Sequence, residues 1–241
     1  MGDDLTERRQ RRAWWTTLLD LVLPAECAGC GHTGSVEVHE GLCTSCVFAL
    51  SGPPTAVRPL RRPRGLPAVH ALAPYRHPVP DIVIAQKERG RLDLARPLGR
   101  QLARAVRAAA PDTGPIWLVP APSTRATVRR RGQDPVRRMA RIAAAELRAL
   151  GRTANVLVAL RQSRAVSDQV GLTHEQRARN LAGALSVRPA ATARLALRPV
   201  VLLDDVMTSG ATLADAARAI RAAGGRPVGA AVLASTRFRD R

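Results

Sequence analysis

Aromatic side chains are almost missing from this chain: Phe, Trp and Tyr together account for 2% of its 241 residues. Any core must therefore be built from Ala, Leu and Val, and hydrophobic residues, at 46%, are plentiful enough to build one. The same scarcity argues against a single-stranded nucleic-acid surface of the stacking kind, which interleaves basic residues with aromatic platforms. Lysine is rarer still, because Lys87 stands alone among 38 basic residues and all the others are arginine. Acidic residues number only 19, which leaves a formal net charge of +19. A charge of that size points to a polyanionic contact, with nucleic acid or with phosphorylated substrates. An Arg- and Ala-rich composition accounts for it equally well, since the arginines are spread along the chain. No run of about 18 uninterrupted apolar residues occurs, so no membrane-spanning helix is expected.

The length suits one large domain, or an ordinary domain with a small module. Near the amino terminus Arg8, Arg9, Arg11 and Arg12 precede an apolar stretch, which superficially imitates a secretion signal. Asp20 interrupts that stretch, and Trp14, Trp15, Leu18, Leu19 and Val22 recur at helical spacing. A short amphipathic helix and a cytoplasmic location are expected.

The richest segment is Val200–Thr212, VVLLDDVMTSGAT. Val200, Val201, Leu202 and Leu203 form a continuous apolar run, as in a parallel strand covered on both faces. Asp204 and Asp205 follow where such a strand emerges, at the sheet edge where open α/β proteins bind ligands. Thr208, Ser209, Gly210, Ala211 and Thr212 then supply three hydroxyls and backbone N–H groups ahead of a helix expected to start near Leu213. Ionised carboxylates only accept hydrogen bonds, so Asp204 and Asp205 suit the vicinal hydroxyls of a ribose, while the loop suits a 5-phosphate. The segment closely resembles the PRPP-binding loop of type I phosphoribosyltransferases.

All four cysteines fall in two pairs, Cys27-x-x-Cys30 and Cys43-x-x-Cys46. Each pair can direct two thiolates at one ion, and together they make a tetrahedral sulfur cage that favours zinc. Two disulfides in an exported mini-domain are the alternative. A closed four-thiolate site keeps no position for substrate, so the metal would be structural, and residues 24–50 would unfold without it.

Three divisions of the chain follow. Residues 1–50 hold the amphipathic helix and the four-cysteine zinc-ribbon module. Residues 51–69, rich in Pro and Arg, read as a semi-extended linker. Residues 70–241 alternate helices and strands. A helix is expected after Ala95, a strand at Ile116–Val119, a helix over Pro135–Leu150 and a strand at Asn155–Leu160. The ligand strand, its helix to Ala223 and a last strand at Val228–Ala234 complete the pattern. Such alternation implies βαβ units and a mostly parallel sheet flanked by helices.

Folding alone leaves three polar clusters unexplained. Lys87-Glu88-Arg89-Gly90 holds the single lysine, where a compact ammonium serves better than a planar fork. Arg125, Arg129, Arg130 and Arg131 with Gly132 form a positive patch able to meet pyrophosphate. In Gly171–Leu185, Arg177 and Asn180 lie one turn apart on a short helix or lid.

Taken in order, these landmarks resemble the ComF family of ComFC- and GntX-like proteins, over roughly residues 18–235. The resemblance implies a type I phosphoribosyltransferase fold with an amino-terminal zinc ribbon, and a link to DNA uptake in natural transformation. For an active enzyme it implies that Asp204 and Asp205 orient the ribose of Mg²⁺-bound PRPP and that Thr208, Ser209, Gly210, Ala211 and Thr212 take the 5-phosphate. Arg177, with Lys87 or Arg131, would meet the pyrophosphate, and Asn180 would join the PRPP site. The family's Arg-Gly-Phe-Asn-Gln is replaced by Arg131-Gly132-Gln133-Asp134-Pro135, and its Pro-Gln by Ser167-Asp168-Gln169. Both departures surround the acceptor and pyrophosphate region that the resemblance implies. The alternative function is a non-catalytic competence adaptor that binds single-stranded DNA and a partner helicase.

Overall fold

The computed structural model describes residues 26–33, 38–110, 114–123, 128–129, 132–163 and 183–237. The first cysteine pair forms a tight knuckle in which the Gly31 N–H donates to the Cys27 carbonyl. β1 (Val38–His39) and β2 (Leu42–Cys43) make an antiparallel hairpin, and α1 (Thr44–Ala49) carries the last cysteine. β3 (Thr55–Val57) lies within the stretch expected to be linker and pairs antiparallel with β4 (Val69–Pro74). Then come α2 (Val79–Lys87), α3 (Ala95–Ala109), β5 (Ile116–Pro120), α4 (Pro135–Ala149), β6 (Ala154–Val156), β7 (Leu160–Gln162) and β8 (Leu185–Val187). The one-turn α5 (Thr192–Leu195), β9 (Val200–Leu203), β10 (Val206–Met207), α6 (Ala211–Ala222) and β11 (Pro227–Ser235) close the sequence of elements.

Among the described residues, seven strands form the central sheet, in the order β3-β4-β11-β9-β5-β6 with β10 beside β11. Apart from the β3–β4 pair, its neighbours run parallel. β9 is paired on both sides and buried along its whole length, which is why four successive aliphatic residues suit it. β4 and α2 carry no clear periodicity in the sequence. β4 is short and almost wholly buried, and α2 mixes β-branched residues with Pro80, which is tolerated because it lies in the first turn. The expected strand at Asn155–Leu160 is divided: the Ala159 N–H donates to the Leu157 carbonyl, a three-residue turn that sends β7 out of the main sheet to pair with β8.

Helices cover both faces. On one face α2, α3 and α4 pack against β4, β5, β9 and β11, and the buried Cys27, Leu42, Cys43, Cys46 and Leu50 belong to the same apolar cluster. The cysteine module therefore shares a core with the sheet. Gly99 lets α3 and α4 meet closely, since a Cβ there would lie 2.6 Å from Ile142 Cβ. On the other face α6 packs with Leu195 of α5 and with the β7–β8 hairpin. Among the described residues no helix is long and apolar enough to cross a membrane.

Candidate functional site

The polar end of β9 is built by a jog in the chain. The Asp204 N–H still donates to Ala231 of β11, while the Asp205 carbonyl accepts from Leu233 and Ala234 N–H, and β10 resumes pairing further along β11. This turn separates the two aspartates. Asp204 is half-buried, and its Oδ1 accepts the Asp205 N–H at 2.9 Å. Asp205 is buried: its Oδ1 accepts the Val206 N–H at 2.7 Å, and its Oδ2 meets the Lys87 ammonium at 2.6 Å. The single lysine therefore lies in the acidic site, delivered by the last residue of α2.

Charge at this site is finely divided. Burial and the neighbouring Asp205 charge push the Asp204 carboxyl up to about 7, against the downward pull of Lys87 and the Asp205 N–H. Burial alone would lower the Lys87 ammonium, but Asp205 and then Asp204 outweigh it and raise its pKa. With Lys87 paired to Asp205, ionisation of Asp204 gives the cluster surplus negative charge, an environment that receives a cation or a hydroxyl-rich ligand readily.

The loop after β10 runs directly into α6. Thr208 is exposed, Ser209 and Thr212 are half-buried, and Gly210 and Ala211 are buried. Gly210 occupies the left-handed region at φ 75°, and a Cβ there would lie 3.0 Å from Leu66 Cδ2. The left-handed backbone favours glycine, and the Leu66 methyl would have to yield to any larger residue. Ser209 Oγ accepts a long bond of 3.4 Å from the Ala211 N–H, so the helix starts two residues earlier than Leu213. The first-turn N–H groups of a helix lack intrahelical acceptors and carry its positive dipole end, which suits a phosphate.

The four cysteines form a second site. Their Sγ atoms lie within 4.8 Å of one another, Cys30 and Cys43 being 3.7 Å apart. A zinc tetrahedron with bonds of about 2.3 Å has sulfur–sulfur edges of about 3.8 Å, so the donor set fits that ion. Burial raises the Cys27 thiol, but backbone N–H groups of Cys30, Cys43 and Gly29 outweigh it and bring it down to about 6. Burial and the adjacent sulfurs push Cys46 well up. Four ionised thiols so close together need a cation between them.

Asp204, Asp205, Lys87 and the Thr208–Thr212 loop thus converge at one sheet edge. Arg131, Arg177 and Asn180 lie outside the described residues, as do Arg125, Arg130, Ser167–Gln169 and the expected helix around Trp14–Val22. Arg129 is exposed. The departure at Gln133-Asp134-Pro135 has a local explanation: Asp134 caps α4 by accepting the Arg137 N–H at 3.0 Å, and Pro135 is the first helical residue. Two residues escaped the sequence reading. Tyr75, just past β4, is near enough to influence the Lys87 charge. Asp215 of α6 is buried, and its carboxylate accepts the Gly183 and Leu185 N–H groups at 2.8 Å each and Arg218 Nε at 2.6 Å. Its signal in the sequence is a lone acid within the apolar run Leu213–Ala217.

Residues 127–240 match the phosphoribosyl transferase domain family model. The match takes in Asp204, Asp205 and the Thr208–Thr212 loop, and leaves Lys87 and the cysteines outside. No curated protein matches the chain. With the α/β sheet described above, a phosphoribosyl transferase domain occupies the carboxy-terminal half, preceded by a four-cysteine cluster.

Proposed function

We propose that this chain binds PRPP at the β9 edge and transfers its phosphoribosyl group to an acceptor, as a ComF-like protein with zinc in the four-cysteine site. The observation that carries the reading is the meeting of three chemistries at one edge: the Asp204–Asp205 pair, the loop leading into α6, and the Lys87 ammonium on Asp205.

Asp204, the less engaged carboxylate, accepts the ribose hydroxyls, and Asp205 joins it as Lys87 gives way to the substrate. Hydroxyls of Thr208, Ser209 and Thr212 and the amides of Gly210 and Ala211 hold the 5-phosphate. As the bond from C1 to the pyrophosphate oxygen breaks, that oxygen keeps the electron pair and the ribose gains oxocarbenium character, which the adjacent carboxylates stabilise. The nucleophile then bonds to C1 from the opposite face. Lys87, joined by Arg177 and Arg131, offsets the charge of the departing pyrophosphate, with Asn180 completing the PRPP site. Mg²⁺ carried on PRPP would neutralise phosphate charge, using few protein ligands, and the acidic edge at Asp204 fits it.

Titration calorimetry of the zinc-loaded chain with PRPP and Mg²⁺ tests the reading. Binding that disappears in Asp204→Asn/Asp205→Asn supports it, and no heat at any concentration sinks it. Pyrophosphate release across a panel of bases and amines then separates transfer from sensing.

A second reading has its own observation. Arg96, Arg100, Arg138 and Arg141 line a groove of about 740 Å³ along α3 and α4 together with Glu40, Asp93 and Glu146, and Glu40 pairs with Arg96 and Arg100, so Arg138 and Arg141 would lead any contact with a polyanion. An adaptor that handles single-stranded DNA beside a competence helicase, in natural transformation, would use such a surface electrostatically. Its affinity would then fall steeply with salt.

A further inference from the structure

We infer that the four-cysteine site, with metal bound, fixes the position of Lys87 and thereby the charge state of the acidic edge. The consequence for ligand binding rests on the phosphoribosyl reading above, whereas the mechanical link does not. Gly29 lies between the first two cysteines, and a Cβ placed on it would sit 2.8 Å from Cys46 Sγ and 3.0 Å from Ile82 Cγ1. Ile82 is fully buried in the middle of α2. The knuckle backbone, a cysteine sulfur and α2 therefore touch directly, with no room for a methyl group between them.

A second contact lies beyond the helix end. Arg91 donates its backbone N–H to Ala85 O and its guanidinium to Glu26 O, each at 3.2 Å, and Glu26 immediately precedes Cys27. Lys87 sits between these contacts, about 7.5 Å along the helix from Ile82. The knuckle thus meets the chain at Ile82 before, and at Arg91 after, the residue that reaches Asp205.

A tetrahedral thiolate cage gives the knuckle one geometry. Without the cation nothing ties the two cysteine pairs together, and the knuckle loses that single geometry. A displacement of α2 by one ångström stretches the 2.6 Å Lys87–Asp205 contact beyond direct hydrogen-bond range. Asp205 then loses its direct contact with the ammonium, and the edge loses the arrangement that receives a phosphoribosyl group. The metal is structural in its ligands and acts on the site through α2.

Lys87 makes this measurable, because it is the single lysine of the chain. Acylation by N-hydroxysuccinimidyl acetate at pH 8, read by mass spectrometry on the peptide that contains it, reports one side chain. The full-length zinc-loaded protein should acylate slowly at Lys87. Stripping the zinc should speed the reaction about tenfold, the change that one pKa unit produces, while amide exchange in β9 and β11 stays slow. Equal rates with and without zinc, in protein whose sheet remains protected, overturn the inference. If stripping melts the sheet, Ile82→Ala decides the point, since it keeps all four cysteines. Faster acylation at unchanged zinc content supports the link, and an unchanged rate refutes it. PRPP calorimetry run in parallel keeps the two ideas apart. Zinc-dependent acylation without PRPP binding leaves the link standing and defeats the phosphoribosyl reading. PRPP binding with zinc-independent acylation does the reverse.

Discussion

The Lys87 ammonium lies 2.6 Å from Asp205 Oδ2, joining the end of α2 to the end of β9 through the one lysine of an arginine-rich chain. Asp205 is almost wholly enclosed, so this contact decides whether its charge is tolerated. Among the described residues Asp204, one residue earlier, has no such ion-pair partner, and it keeps its proton to about pH 7. The two acids of the motif therefore differ, one paired with Lys87 and the other poised to titrate near neutral pH.

Lys87→Met should strand the Asp205 charge. We expect a loss of about 3 kcal/mol in urea unfolding at pH 7.5, typical of removing one partner of a buried pair and tempered here by the partial exposure of Lys87. The double variant Lys87→Met/Asp205→Asn should recover most of it. Equal destabilisation in single and double variants would show that the ion pair contributes little.

Asp204 makes stability depend on pH in a defined direction. Its native pKa of about 7 lies above that of an unfolded aspartate, so the native state holds the extra proton between about pH 4 and 7. The stabilisation is full below that window and is lost as pH rises through it. Asp204→Asn should remove the dependence and raise stability at pH 8 by about 1–3 kcal/mol, with no gain at pH 4. Chemical denaturation at the two pH values measures this, and a wild-type profile already flat from pH 4 to 8 would refute it.

Gly210→Ala places a Cβ at φ 75° and against Leu66. The backbone conformation alone costs about 1–2 kcal/mol. Because the residue begins α6 in the loop proposed to hold the 5-phosphate, PRPP affinity should fall while the melting temperature drops by only a few degrees. Unchanged affinity in calorimetry would place the phosphate elsewhere.

Asp215→Asn keeps the size of a buried side chain that accepts three hydrogen bonds, and turns one acceptor oxygen into a donor facing a donor. A loss of about 2–3 kcal/mol is expected in urea unfolding. Hydrogen exchange should quicken first at Gly183 and Leu185, and uniform acceleration across β9 and β11 would contradict a local role.

The sequence by itself determined the parts whose chemistry is contiguous. Four aliphatic residues, two acids and a hydroxyl-rich turn specify strand, sheet edge and the turn into a helix within Val200–Thr212, because each step depends on neighbours a few residues away. The paired C-x-x-C motifs likewise announce their cluster, since each pair converges through a short turn. Only the tertiary structure decided which partner each group meets. Lys87 stands out in the composition, but its contact with Asp205 exists because α2 packs beside the far end of β9. Asp204 and Asp205 are adjacent in sequence and become unequal because the jog after β9 buries one and leaves the other half-open. In the same way, no local pattern shows that the cysteine module shares its core with the sheet, for that rests on Gly29 meeting Ile82 across elements far apart in the chain. Local periodicity fixes which face of an element is apolar, and close packing among distant elements fixes what that face touches.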